Sequence, residues 1–208
     1  MIFKFYYLLT ILAFTFVSQF NFAQWKVGMQ TGINISTYVL ENKAEDVEIS
    51  NKTGLIIGGN VNYAFNEQFE INSGLRYIQK GARVVFDMPT LQADNKINFI
   101  YLELPTYLRY SFLDGSFKHF IIAGFDFSYL ILAKSEGVIN GNPNEEDLTT
   151  EFTKKFEVSI DGGIGIEYEA NSFVSYALSS NYSLAVIKPD QYLTNRGLQL
   201  AFSLLFKI

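Results

Sequence analysis

The sequence predicts an all-β fold: an eight-stranded antiparallel up-and-down transmembrane β-barrel over residues 24–208, preceded by a cleaved signal peptide over residues 1–23. Three observations predict it. Apolar and polar residues alternate with a period of two along most of the chain. The connections between alternating segments switch in turn between long polar stretches and short tight turns. Aromatic residues are abundant, 20 Phe and 13 Tyr in 208 residues, and those on the apolar phase gather beside the tight turns.

The first segment reads as an address. Lys4 is followed by the apolar run from Phe5 to Val17, then by the polar stretch Ser18-Gln19-Phe20-Asn21 and the small Ala23. That run is too short for a helix to cross about 30 Å of hydrocarbon. The spacing places the signal cleavage between Ala23 and Gln24. With no cysteine anywhere, a lipid-anchored N-terminus is excluded.

Eight segments then alternate. Trp25 to Ser36 is a weaker copy of the pattern. From Gly54, Leu55, Ile57, Val61, Tyr63 and Phe65 oppose Gly58, Asn60, Asn62 and Ala64. Phe69 to Phe86 follows as a third segment. In the fourth, Ile100, Leu102, Leu104, Leu108, Tyr110 and Phe112 oppose Tyr101, Glu103, Pro105, Tyr107, Arg109 and Ser111. Ile121 to Ile131, Phe156 to Tyr168, Phe173 to Leu184 and Leu198 to Ile208 complete the set. Long polar connections are expected at about 37–53, 87–96, 135–153 and 185–195, and tight turns at 66–68, 113–116 and 170–172. Both chain ends then fall at the tight-turn end, as in barrels with short periplasmic turns and longer extracellular loops.

Alternation does not say which face is wet, and a soluble secreted lipocalin-like barrel binding a small apolar ligand shows the same period. Composition separates the two. A water-facing surface is rich in Lys and Glu, whereas the polar phase here is dominated by Gly, Ser and Asn, including Gly28, Asn34, Asn60, Gly124, Ser128 and Gly163. Small residues suit the narrow interior of eight strands. The apolar phase carries Trp25, Tyr63, Phe65, Phe69, Tyr110, Phe112, Phe117, Tyr168, Phe173 and Phe206 near the tight turns, the pattern of an interfacial aromatic girdle.

Several inward positions are charged: Glu70, Arg76, Glu103, Arg109, Asp126, Glu157, Asp161 and Glu167. Measured from the tight turns, Arg76, Glu103, Asp126 and Asp161 fall at similar depth. An unpaired charge in a narrow lumen is costly, so Arg76 is expected to pair with Glu103 in a network that extends through water to Asp126 and Asp161. Its expected role is a structural plug, because interiors of this size are normally filled. Pro105 points inward without an N–H, which predicts a bulge or a missing ladder bond.

Other chemistry is thinly represented. The formal net charge of −5 lacks the basic footprint of a nucleic-acid binder, so no nucleic-acid partner is expected. Zero cysteines and one histidine remove thiol nucleophiles, thiolate metal sites and His-pair metal sites, and no cofactor or metal is expected. His119 lies three residues after Ser116 but on the lipid-facing phase, which suits an interfacial residue better than a general base. The stretch Asn140-Gly141-Asn142-Pro143-Asn144-Glu145-Glu146-Asp147 has an oxygen-ligand spacing faintly like a calcium loop. It lacks the starting Asp and the required Gly, and reads as an acidic mobile surface loop. Phe202, Leu204, Phe206 and Ile208 end the chain in phase, as in the closing-strand signal that the barrel-assembly machinery reads, though Lys207-Ile208 follow the last aromatic residue.

Three segments carry a family resemblance: Gly32-Ile33-Asn34-Ile35-Ser36, Gly74-Leu75-Arg76-Tyr77-Ile78-Gln79-Lys80-Gly81, and Tyr101-Leu102-Glu103-Leu104-Pro105-Thr106-Tyr107-Leu108-Arg109-Tyr110. With them the chain resembles the PorT-like outer-membrane β-barrel family, and Tyr-x-Glu-Leu-Pro is the most specific part. The resemblance implies a barrel in the bacterial outer membrane and, for the namesake, a part in protein secretion. The expected function is therefore non-enzymatic: a structural or surface-interaction barrel, or an accessory to secretion. Outer-membrane lipids and lipopolysaccharide, the assembly machinery, and a secretion-system or surface protein are the expected partners. N- and C-termini are expected in the periplasm and the four long loops outside.

Overall fold

The structure, a computed structural model, describes residues 24–40, 46–88, 91–112, 115–152, 154–188 and 193–208. The expected signal peptide and Ala23 lie outside the described residues, and Gln24 opens the first strand. The strands are β1 (Gln24–Leu40), β2 (Val47–Ala64), β3 (Phe69–Met88), β4 (Leu91–Phe112), β5 (Phe117–Ile139), β6 (Asn142–Asp147), β7 (Phe156–Glu169), β8 (Val174–Ile187) and β9 (Leu193–Lys207). Each pairs antiparallel with its neighbour, β5 pairs with β7, and β9 returns to β1 in register from Lys26↔Lys207 to Leu40↔Leu193. Eight strands thus close a ring, and β6 stands beside β5 alone. Closure satisfies each of the eight ring strands on both edges, the condition that hydrocarbon imposes on any β-structure within it.

The alternation resolves into an inverted protein. Met29, Leu75 and Ile164 face outward at 65%, 54% and 64% exposure, while Arg76, Glu103 and Asp126 face inward at no more than 2%. A soluble barrel of lipocalin type needs the opposite polarity, with charge outside and an apolar cavity inside. On β2 the outward apolar run from Leu55 to Phe65 covers about 33 Å of strand at ~3.3 Å per residue, or about 25 Å of height at a tilt near 40°. That is the height of a lipid-facing band. At its tight-turn edge the outward rings touch from strand to strand, with centroids 4.7 Å apart for Trp25–Tyr63, 5.0 Å for Phe69–Tyr110 and 4.6 Å for Phe117–Tyr168.

Local chemistry sets the tight turns. Asn66 Oδ1 accepts hydrogen bonds from the backbone N–H of Gln68 and Phe69 at 2.9 and 2.8 Å, and Asn171 Oδ1 does the same for Phe173 and Val174. In both, an asparagine stands in for a backbone turn and starts the next strand two or three residues later.

The opposite end departs from the expected count of eight strands separated by four long loops. Strands β3 and β4 stay paired as far as Met88↔Leu91, so residues 87–88 and 91–96 of the expected loop are ladder. The loop expected at 135–153 contains the end of β5, the turn Ile139-Asn140-Gly141-Asn142 and the ninth strand, β6. Asn140 and Gly141 adopt φ of +48° and +81°, which the Asn-Gly dipeptide tolerates and a two-residue hairpin requires. The acidic residues Glu145, Glu146 and Asp147 therefore lie along a strand rather than in the mobile surface loop expected, and Glu145 accepts a hydrogen bond from Lys134 Nζ across the ladder. Above the apolar band the outer face of β3 and β4 meets water, as at Arg83 and Asp94, so the lipid-facing signal fades while the ladder continues.

Three register shifts adjust the pleat, the first where β2 gains one residue on β3 between Asn51↔Ala82 and Ile56↔Ile78. Ile131 is an extra residue of β5 opposite the Ile100–Tyr101 step, so Leu130 and Ala133 both point inward. Val186 is the equivalent extra residue of β8. Pro105 sits away from all three. Instead, the β3–β4 register passes from Ser73↔Thr106 to Arg76↔Glu103 without a pair at Gly74 or Leu75, and Ser73 Oγ donates to the Pro105 carbonyl at 2.8 Å. The missing N–H thus costs a ladder bond rather than creating a bulge.

A closed ladder in lipid resists partial unfolding, so the unboiled protein is expected to migrate differently from the boiled protein on a denaturing gel. Substituting Ile164→Arg on the outward face should destabilise the barrel by about 2–4 kcal/mol, measured by urea unfolding in phospholipid vesicles.

Candidate functional site

The functional candidate is the lumen, which the pleat fills in three layers. Nearest the tight turns, Lys26 of β1 donates to Glu70 of β3 at 2.9 Å and to Glu167 of β7 at 3.0 Å. Arg109 of β4 reaches Glu167 at 2.5 Å, and its guanidinium lies 3.8 Å from the centroid of the Phe120 ring. Phe120 fits there because Gly165 faces it, and any Cβ at that position would collide with the ring. This layer holds two cations and two carboxylates, each with a partner of opposite sign.

The middle layer is larger. Arg76 Nε donates to Glu103 Oε1 at 2.7 Å, and its Nη2 reaches Asp126 Oδ2 at 2.8 Å and Gln199 Oε1 at 3.0 Å. Tyr107 donates to the other oxygen of Asp126, and Ser128 donates to the other oxygen of Glu103 at 2.6 Å. Lys80 bridges Glu103 and Glu157 at 2.7 and 3.0 Å with its ammonium 5.1 Å from the Tyr101 ring centroid. Gly58 gives Arg76 its place, since a Cβ there would strike the backbone and Cβ of Arg76. A guanidinium with five donors in a plane is the group that can hold two carboxylates and an amide at once.

Of the residues singled out in the sequence, Arg76, Glu103 and Asp126 meet directly, without the intervening water expected for Asp126. Asp161 stands one strand further on, where Ser183 donates to its Oδ2 at 3.2 Å and its Oδ1 has no hydrogen-bond partner. Lys26 and Lys80 supply cations beyond the eight inward charges that the alternation identifies. The signal for Lys80 was present, because it follows Arg76 by four residues on the same phase of β3. Lys26 shares the phase of Gly28 and Gly32 in β1 in the same way.

The third layer also lies beyond that set. At the hairpin end the lumen is apolar: Tyr38, Ile56, Ile78, Val84, Phe99, Tyr101 and Leu130 form one buried cluster, and Leu148 and Phe152, from the segment after β6, pack against it. Phe99 and Phe152 meet edge-on with centroids 5.4 Å apart. Salt bridges, hydrogen bonds and an apolar cap thus occupy the barrel from one end to the other. His119 lies outside, stacked on Phe112 at 6.1 Å between centroids.

An inside-out closed barrel with a filled, ion-paired lumen is a membrane-embedded β-barrel by its physics. A family model for the outer membrane protein beta-barrel domain matches residues 18–188, and the chain belongs to that family. Its fold is similar to that of the outer membrane protein OprG from Pseudomonas aeruginosa, at a TM-score of 0.57 and 12% identity over 90% of this chain and 96% of that one. Weaker likenesses reach Ail of Yersinia pestis (TM-score 0.43, 12% identity, 88% and 99% covered) and the neisserial surface protein NspA (0.42, 12%, 87% and 97%). No curated protein matches the chain by sequence. The family places the protein in the bacterial outer membrane.

Removing one member of the middle layer leaves charge buried without a partner. Arg76→Met is expected to cost about 3–5 kcal/mol in denaturant unfolding, and adding Asp126→Asn should recover part of that loss by neutralising a stranded carboxylate.

Proposed function

We propose that this protein is a non-enzymatic outer-membrane anchor that displays its hairpin end at the cell surface, with its termini in the periplasm after removal of a signal peptide. The observation that carries the reading is the combination of a filled lumen with β-ladders that outrun the lipid band. Transport through the barrel would require emptying two ion-paired layers and an apolar cap. Strands of 20 to 23 residues, as in β3, β4 and β5, are about twice what a membrane crossing needs. The surplus builds a stiff crown of polar hairpins, and stiffness favours recognition because little entropy is lost when a partner docks. The single histidine faces away from the lumen, so it is not positioned as a base there.

A second reading, an accessory of protein secretion, draws on the PorT-like segments. It also draws on a polar cleft of about 750 Å³ at the tight-turn end, lined by Ser111, Lys118, Glu169 and Asn171 among others. There Lys118 and Lys207 both hold Glu169, at 2.9 and 2.8 Å. A periplasmic partner would meet this end first.

The absence of native cysteine makes orientation directly measurable. Asn144→Cys in β6 is expected to react with a membrane-impermeant maleimide on intact cells, and Asn171→Cys only after lysis; the reverse pattern rejects the proposed orientation. In planar bilayers the purified barrel should show no stable ion conductance. For function, replacing residues 140–147 with a short turn is expected to weaken surface adhesion while the secreted proteins stay unchanged. Loss of particular secreted proteins in a deletion strain, with adhesion intact in the shortened-hairpin variant, would instead select the secretion reading.

A further inference from the structure

The outer wall carries a groove that the barrel itself does not need. It has a volume of about 740 Å³, lies across β9, β1, β2, β3 and β4, and is walled by Val27, Met29, Val61, Leu75, Leu104 and Phe206. Its floor is Gly59, which pairs with Met29 on one side and Leu75 on the other and points outward.

Gly59 differs in kind from its neighbours. A Cβ at Gly28, Gly58 or Gly74 would collide with the backbone of the adjoining strand, so packing demands glycine there. At Gly59 a Cβ would meet only the Gly28 carbonyl at 3.6 Å, an ordinary contact, and the residue has no positive φ. Glycine in a strand interior weakens it and leaves no side chain to pack. Neither strain nor crowding accounts for it, and what it supplies is an open notch. Beside the notch, the β3–β4 ladder lacks its pairs at Gly74 and Leu75, so no pair joins Leu75 to Leu104 directly, and each is held only on its other side, by Gly59 and Phe127.

We propose that this groove is a binding site for one acyl chain of a phospholipid. The groove is continuous with the lipid-facing band, so its occupant comes from the bilayer already in contact with that surface. It opens beside Val27 and Phe206, at the level of the tight-turn aromatic girdle, and so draws on the leaflet at that end. Naming phospholipid rather than lipopolysaccharide rests on the proposed periplasmic side of the tight turns. Within hydrocarbon, shape complementarity supplies the preference, because apolar surface alone gains nothing there.

The test is native mass spectrometry of the full barrel, released from detergent after equilibration with phosphatidylethanolamine. The wild type is expected to retain one lipid. Gly59→Leu should lower that retained fraction about tenfold, a difference of ~1.4 kcal/mol, and Gly59→Ala should lower it less. Gly162→Leu is the control: Gly162 lies on β7, opposite β2 in the ring, is equally open to lipid, and its substitution should leave retention unchanged. Heat-dependent gel mobility verifies that each variant is folded. The proposal is overturned if the wild type retains no lipid, if Gly59→Ala and Gly59→Leu both retain it as the wild type does, or if Gly162→Leu loses it equally. It is also overturned if the wild type is a dimer that Gly59→Leu alone converts to monomer, since the occupant is then a second copy. Reversed cysteine labelling would reject the orientation, and with it the phospholipid assignment over lipopolysaccharide, while leaving the groove's preference for an acyl chain to be read from the same spectra.

Discussion

Hydrocarbon offers no hydrogen-bonding partner to a peptide group, and the architecture of this protein follows from that deficit. A sheet in lipid must leave no edge, so β9 returns to β1 along fifteen paired positions. Once the ladder is closed, every residue within the lipid band points either to lipid or to the lumen. The outward set then carries Met29, Leu75 and Ile164, and the inward set is free to be polar. The usual relation between burial and hydrophobicity is reversed by the solvent, not by any unusual feature of the strands.

The lumen imposes the second constraint. Eight strands enclose a space just wide enough for side chains, and charges placed there are out of reach of bulk water. Such charges persist only as a closed set of partners. Arg76 and Lys80 accordingly share Glu103 between them, while Asp126 and Glu157 take their remaining contacts; Tyr107 satisfies the Asp126 oxygen that Arg76 leaves over, and Ser128 adds a second donor to the Glu103 oxygen that Lys80 holds. Long side chains from β3 reach across the barrel, and the opposite wall answers with small residues. The interior is consequently a set of interlocked layers joining strands far apart in sequence, such as Lys26 with Glu167. Those cross-barrel links oppose deformation of the ring and give the crown of hairpins a rigid base.

Much of this was written in the sequence because the β-pleat has a period of two and the membrane rewards one phase. Leu55 to Phe65, Ile100 to Phe112 and Leu198 to Phe206 declare their strands and their outward faces without help from tertiary structure. The aromatic girdle is equally legible, since Trp25, Tyr63, Phe69 and Phe117 mark the same interface on different strands. Depth from the tight turns brought Arg76, Glu103 and Asp126 into one layer. The crown was harder to read. Around Glu145 both strand faces are exposed, and around Asp94 the phase is inverted, with Arg83 and Asp94 outward and Ala93 and Ile97 inward, so neither stretch carries the signature of a lipid-facing strand. The Asn140-Gly141 turn was the available signal that the chain doubles back.

By itself, then, the sequence determined the class of fold, the lipid-facing residues and the inward charges, because each depends on local alternation and on distance from a turn. Tertiary structure alone decided which charges meet, since Lys26 with Glu167 and Arg76 with Gln199 join positions separated by 141 and 123 residues through ring closure and strand stagger. It also decided that Ile56, Ile78 and Leu130, inward by the same alternation as Gly58, Arg76 and Ser128, gather with Val84 and Phe99 into an apolar cap. In β5 the bulge at Ile131 resets the phase beyond Leu130, and one inserted residue exchanges inside for outside in a way that no period-two pattern reveals.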